Sequence, residues 1–134
     1  MSDNLWRPNS ITEIAHRAVA GLQAFDPAVR EFLDSWQSMT KPARAAALEQ
    51  EPEPVGRVQD AYLAALAEHL TLSHRMPAPA WTEQAGRFLT EPFFAGGLES
   101  LKAILIVESP LAFRRRLIFI SADALSRPRR EIVL

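Results

Sequence analysis

The chain contains no cysteine among its 134 residues, which excludes disulfide bonds, thiol catalysis and cysteine-ligated zinc. It also lacks a long apolar run, since stretches such as Ala103 to Val107 are far too short to cross a bilayer. Neither sign of charge is in excess. The formal net charge of −1 argues against a nucleic-acid binder of the histone type. The first residues lack the charged start and apolar core of a signal peptide. We therefore expect a cytoplasmic protein without a membrane segment.

Motifs that carry catalysis or metal binding are also missing. There is no P-loop, no EF-hand loop, no HExxH and no G-x-S-x-G elbow. Glu13-x-x-His16 has the spacing found in helical carboxylate-metal proteins, but those sites need the motif twice. His69, in the cluster Glu68, His69 and His74, falls on an apolar stripe, which is typical of a core histidine. We expect no catalytic residue, no metal site and no cofactor.

The composition and the apolar periodicity predict a mainly α-helical fold. Hydrophobic residues make up 48% of the chain and charged residues 23%, which suits one compact domain. Ser10 and Glu13 have capping-box spacing, and apolar residues then recur at three- and four-residue steps as far as Phe25. Similar stripes predict about six helices across residues 10–107. We expect a β/turn closing segment at 108–126 and an exposed tail at 127–134.

The later elements are less regular. Trp81-Thr82 is expected to open a fifth helix with Phe88 and Leu89 on its buried side. A glycine-containing turn follows, and apolar residues at Leu98, Leu101, Ile104 and Leu105 predict a sixth helix that ends before Ser109-Pro110. After Ser109-Pro110 the period changes, and Leu117–Ile120 is β-branched and aromatic, which predicts a short strand.

Arginine is concentrated in the last quarter of the chain, opposite an acidic middle that includes Glu49, Glu51 and Glu53. Three interpretations of this block stay open: internal ion pairs with carboxylates such as Glu108, phosphate contacts with nucleic acid, or contact with an acidic protein. Alternation along a strand would send Arg115 to one face and its two neighbours to the other. The arginines concerned are Arg114, Arg115, Arg116, Arg127, Arg129 and Arg130.

One part of the chain resembles a known group. The residues that carry the likeness are Trp81…Phe88-Leu89-x-x-Pro92-Phe93, Glu108-Ser-Pro110-x-x-Phe113-Arg-Arg-Arg116-x-Ile118-Phe-Ile120 and Ala124-Leu125-x-Arg127. This pattern is similar to small prokaryotic antitoxin-like proteins encoded beside nucleotidyltransferase-type toxins. The resemblance covers about the last fifty residues and implies a protein partner rather than a reaction. It carries no catalytic residue.

These observations predict a non-enzymatic protein that binds and neutralises a cognate toxin enzyme. The partner-binding residues expected on an exposed face are Arg114, Arg115, Arg116, Trp81 and Phe93. An alternative is a small nucleic-acid-binding regulator that uses the same three arginines together with Arg127, Arg129 and Arg130. A third alternative is a structural subunit that forms a homo-oligomer with Phe93, Phe94 and Trp81 buried.

Overall fold

A computed structural model describes residues 7–95, 102–121 and 124–126 of the chain. Helices dominate these residues, and none of them has the length and apolar content of a membrane span. The mainly α fold with a short β segment near the C-terminus, predicted from the sequence, is confirmed. The described α-helices are α1 (Ile11–Ala20), α2 (Phe25–Trp36), α3 (Lys41–Glu49), α4 (Arg57–Ser73), α5 (Lys102–Glu108) and α6 (Leu111–Arg114).

Helix α1 begins at the predicted cap and ends earlier than its apolar stripe suggests. The Ser10 hydroxyl accepts a hydrogen bond from the Glu13 N–H at 3.1 Å, as a capping residue does. At the other end Gly21 takes the left-handed conformation, with φ at 73°. The Leu22 N–H then bonds back to the Arg17 carbonyl at 2.8 Å. This Schellman-type stop leaves Leu22 56% exposed, so the expected extension to Phe25 is wrong.

Helix α4 lies at the centre of the described structure. It contacts α6 and the turns that follow α4, while α1 packs on α2 and α3. Its alanines Ala61, Ala64, Ala65 and Ala67 are buried, which allows the close helix packing that their number predicts. The apolar stripe of α2 completes the core through Val29, Phe32, Leu33 and Trp36.

Residues 80–95 differ from the helix predicted there. They form two 3₁₀ turns, Ala80–Glu83 and Ala85–Arg87, followed by strand β1 (Phe93–Phe94). Long-range side-chain contacts explain the difference. The buried Arg87 guanidinium donates to the Asp60 and Pro52 carbonyl oxygens at 3.1 and 3.0 Å. These bonds hold the segment across α4 and outweigh its local helical preference.

The two strands form a small parallel pair. β2 (Ile118–Phe119) lies within the predicted strand, and Phe93–Phe94, expected to form a turn, is its partner. The Phe94 and Phe119 rings stack with their centres 4.9 Å apart. Helix α6 was not predicted, because its four residues are too few for a periodic pattern. The predicted start of the sixth helix at Leu98 and the predicted tail at 127–134 lie outside the described residues.

Two glycines offer a matched test of the α1 stop. Gly21→Ala should lower the free energy of unfolding by about 1–2 kcal/mol, because a Cβ is unfavourable in the left-handed conformation. No atom lies within 4 Å of the added Cβ, so the loss comes from the backbone alone. Gly86→Ala has the same open surroundings without a positive φ, and should be neutral or stabilising by about 0.4–1 kcal/mol. Urea unfolding measures both, and equal losses in the two variants would contradict the assignment.

Candidate functional site

The three consecutive arginines lie on a tight turn between α6 and β2, not on a strand. Arg114 ends α6, and the next two residues continue the turn to Leu117, whose φ is 62°. A leucine in this left-handed conformation is strained, so surrounding contacts must hold it. The Leu117 carbonyl accepts the Phe93 N–H at 2.9 Å, which ties the turn to β1. The predicted strand alternation of the arginines is therefore wrong.

Arg116 is fully buried. Its NH1 donates to the Glu68 carboxylate at 2.5 Å and to the Ala112 carbonyl at 2.8 Å, and its NH2 donates to the Thr82 carbonyl at 2.8 Å. The guanidinium carbon also lies 4.4 Å from the centre of the Phe88 ring. A buried cation needs this degree of pairing because its desolvation is costly. Arg116 is thus a core residue, and its expected place on an exposed partner-binding face is corrected.

Arg115 bridges two carboxylates at the edge of the same cluster. Its NH1 donates to Glu68 at 2.7 Å and its NH2 donates to Glu83 at 3.0 Å. The hydrogen bond from Arg115 lowers the pKa of the Glu83 carboxyl, and the same bond raises the pKa of Arg115. Two arginines and two glutamates therefore form a nearly neutral network. The internal ion pairing considered for the block is present, with Glu68 and Glu83 as the partners of Arg115 and Arg116.

Arg114 is exposed, as Arg115 is, but it has no side-chain partner among the described residues. Trp81, expected on the same surface, is 7% exposed, and its indole N–H donates to the Leu48 carbonyl at 3.0 Å. Phe93 is 39% exposed on β1. Of the five predicted contact residues, Arg114, Arg115 and Phe93 are exposed, and Arg115 is held by its two carboxylates. Arg127, Arg129 and Arg130 lie outside the described residues.

Glu13 and His16, whose spacing resembles that of a metal site, each contact another side chain instead. Glu13 accepts from the Arg17 guanidinium at 2.8 Å and from the Asn9 N–H at 2.9 Å. The His16 ring lies 3.2 Å from Glu53 on the surface. Across residues 7–95, 102–121 and 124–126, no three His, Asp or Glu side chains are arranged to hold a metal ion.

The sequence analysis missed the outer face of α5. Leu105 is buried beneath the helix, and so is Ser109 just after its end. The Ser109 hydroxyl accepts the Ile120 N–H at 2.9 Å, which pins this side to the strand pair. At about 100° per residue, Val107 lies opposite these anchors. The exposed fractions of the aliphatic residues that face outward are 50% for Ile104, 46% for Ile106, 76% for Val107 and 57% for Leu111, at the start of α6.

This apolar surface, hereafter the α5 face, consists of Ile104, Ile106, Val107 and Leu111. Single exposed aliphatic residues are ordinary, but four within eight positions form a cluster of the kind that marks interaction sites. The signal was present in the sequence as the run Ala103–Val107, since a helix that is apolar on every side is normally covered on every side. It was used there only to exclude a membrane span.

Comparison with models of protein families, with curated proteins and with solved structures returned no match. The functional argument therefore depends on the geometry of the arginine network and of the α5 face.

The two glutamates of the network should differ strongly in their contribution to stability. Glu68→Gln should lower the free energy of unfolding by about 3–5 kcal/mol, because it leaves the buried Arg116 charge without its counter-charge. Glu83→Gln should cost less than about 1 kcal/mol, because that carboxylate is half exposed and its ion pair is screened by water. Chemical unfolding of both variants measures the difference. Similar losses would show that Glu68 is not the central partner.

His69 should make stability depend on pH. Burial, with a smaller effect of nearby His74, lowers the pKa of His69 below 6.5. The folded state then binds a proton less readily than the unfolded state, so the free energy of unfolding should fall as the pH drops below 6.5. The contribution of one such group is at most about 1.4 kcal/mol per pH unit. His69→Gln should flatten the stability profile between neutral and mildly acidic pH, and an unchanged slope would count against this assignment.

Proposed function

We propose that this chain is a non-enzymatic protein that binds a cognate enzyme and neutralises it, in the manner of an antitoxin. The α5 face is the contact surface. The observation that carries the proposal is the outward exposure of Ile104, Ile106 and Val107. The opposite side of this helix is buried through Leu105 and through Ser109 just after its end. A surface of this kind gains free energy when another protein removes it from water.

The proposed partner has an apolar patch bordered by carboxylates. Cations lie at both ends of the α5 face: Lys102 begins α5, and Arg114 follows Leu111 by one helical turn in α6. Interfaces of this composition have an apolar centre and a polar rim, and rim charges mainly set orientation and association rate. Arg114 is therefore the residue of the predicted contact set that this proposal places at the rim.

Neutralisation would be steric. A short helix that stands out from the strand pair can cover the mouth of a partner's active site without taking part in its reaction. The likeness of residues 81–127 to antitoxin-like proteins supports this use of the surface. Arg115 and Arg116 serve it indirectly, because their bonds to Glu68 hold α6 and therefore the neighbouring end of α5.

The nucleic-acid alternative receives less support from the geometry. Two of the three consecutive guanidiniums are committed to carboxylates, so the block presents one free cation rather than three. Phosphate binding depends on the number of cations that can release counterions from the backbone. An apolar face contributes nothing to that process.

The test is co-expression of the chain with the product of the adjacent gene, followed by affinity capture and measurement of the dissociation constant. Val107→Glu and Leu111→Glu should each weaken the complex by at least about tenfold, because a charge is then buried at the centre of the interface. Arg114→Glu should weaken it less and mainly through slower association. Leu22→Glu is the matched control, since Leu22 is as exposed as Leu111 but lies at the end of α1.

Two results would contradict the proposal. One is binding that is unaffected by Val107→Glu and Leu111→Glu. The other is a homo-oligomer of the chain alone that dissociates in the same two variants, because the α5 face would then belong to a second copy. Light scattering on the isolated protein separates these cases.

A further inference from the structure

A second surface feature lies at the C-terminal end of α4. It is a pocket of about 460 Å³ formed by the end of α2, the start of α3 and the end of α4, with Leu125 and Ser126 at its rim. The other lining residues are Leu33, Trp36, Gln37, Arg44, His69, Leu70, Ser73 and His74. The volume is within the usual range for small-molecule sites.

The pocket contains one permanent cation, the Arg44 guanidinium, among neutral polar side chains. Arg44 uses its Nε and NH2 to bond the Trp36 carbonyl at 3.0 and 2.9 Å, and its NH1 has no described acceptor. The Gln37 side chain likewise has no described partner. Among the described residues that line the pocket there is no aspartate or glutamate to neutralise the Arg44 charge.

Trp36 provides a second and independent observation. Its indole N–H is buried and meets no acceptor among the described residues. Buried donors in folded proteins are almost always paired, so this unpaired donor, which the described structure shares with Arg116 Nε, is a rare feature of the pocket wall. The ring itself is held between Arg44, whose guanidinium carbon lies 5.0 Å from the ring centre, and His74, whose ring centre lies at 5.4 Å.

The two histidines of the pocket leave ring nitrogens available to a ligand. The His74 Nδ1 lies 3.0 Å from the Leu70 carbonyl, so it carries the proton and leaves Nε2 free. The His69 ring has no hydrogen-bond partner in the described part of the chain.

We propose that this pocket binds a small organic anion: a carboxylate or phosphate group attached to a compact apolar or aromatic body. The anionic group would pair with the Arg44 guanidinium and the donors around it, and the body would lie along Trp36, Leu33 and Leu70. This site is separate from the α5 face, and it does not depend on the partner-binding role proposed above.

The experiment follows the indole N–H signals of the full chain in ¹H–¹⁵N spectra during titration with sodium phosphate and, separately, sodium benzoate. Sodium chloride at matched ionic strength and neutral benzamide are the controls. Trp36→Phe identifies the Trp36 signal. That signal should shift saturably with at least one of the two anions, while the Trp81 signal, whose N–H is already bonded to Leu48, should stay in place. A phosphate-only or benzoate-only response identifies which anionic group the pocket takes.

Variants make the assignment specific. Arg44→Gln should weaken binding at least about tenfold, as expected for loss of a charge-assisted hydrogen bond. Arg57→Gln is the matched control, because Arg57 is exposed at the start of α4. It lies about 24 Å along the helix axis from Ser73, which lines the pocket. If Arg44→Gln does not fold, His69→Gln is the second variant and should also weaken binding. Equal shifts with chloride or benzamide, no saturable shift with either anion, or full affinity in the folded pocket variants would overturn the proposal.

Discussion

The C-terminal part of this structure depends on the ion pairs made by the Glu68 carboxylate. It lies on the central helix α4 and receives both Arg115 and Arg116, which are 47 and 48 residues further along the chain. The bond fixes the turn after α6, which in turn positions β2 against β1 and α5 against β2. Phe88 stacks on both guanidiniums and shields them from water. The strained backbone of Leu117 is held in place by these contacts.

This use of arginine changes which surface is available to a partner. A run of three arginines suggests a cationic patch, but two of the charges are neutralised inside the fold and only Arg114 remains free among the described three. The surface that the network supports is apolar instead: α5 is pinned through Leu105 and Ser109, and its aliphatic residues face outward. Binding at this face would be driven by burial of apolar surface, with the flanking cations setting orientation.

Features with local causes could be predicted from the sequence, and features with distant causes could not. The cap at Ser10 depends on a residue three positions away, and it is present. The 3₁₀ turns at 80–87 depend on bonds from Arg87 to residues at 52 and 60, which no local pattern reveals. The pairing of Phe93–Phe94 with β2, and the burial of Arg116 on Glu68, likewise join segments that are far apart in the chain. For the α5 face, the sequence showed an apolar run but did not indicate that these residues are exposed.

The central claim is that the Glu68–Arg116 pair stabilises the fold rather than serving a partner. A double-mutant cycle with Glu68→Gln and Arg116→Met, followed by urea unfolding, measures this coupling directly. Removal of Glu68 alone takes the main counter-charge from the buried Arg116, and removal of Arg116 alone leaves Glu68 with Arg115 as its remaining ion-pair partner, whereas removal of both leaves no buried charge at this position. The predicted result is that the double variant is more stable than the sum of the single losses implies, with a coupling energy of about 2 kcal/mol or more. Additive losses, or near-native stability of Arg116→Met alone, would contradict the account.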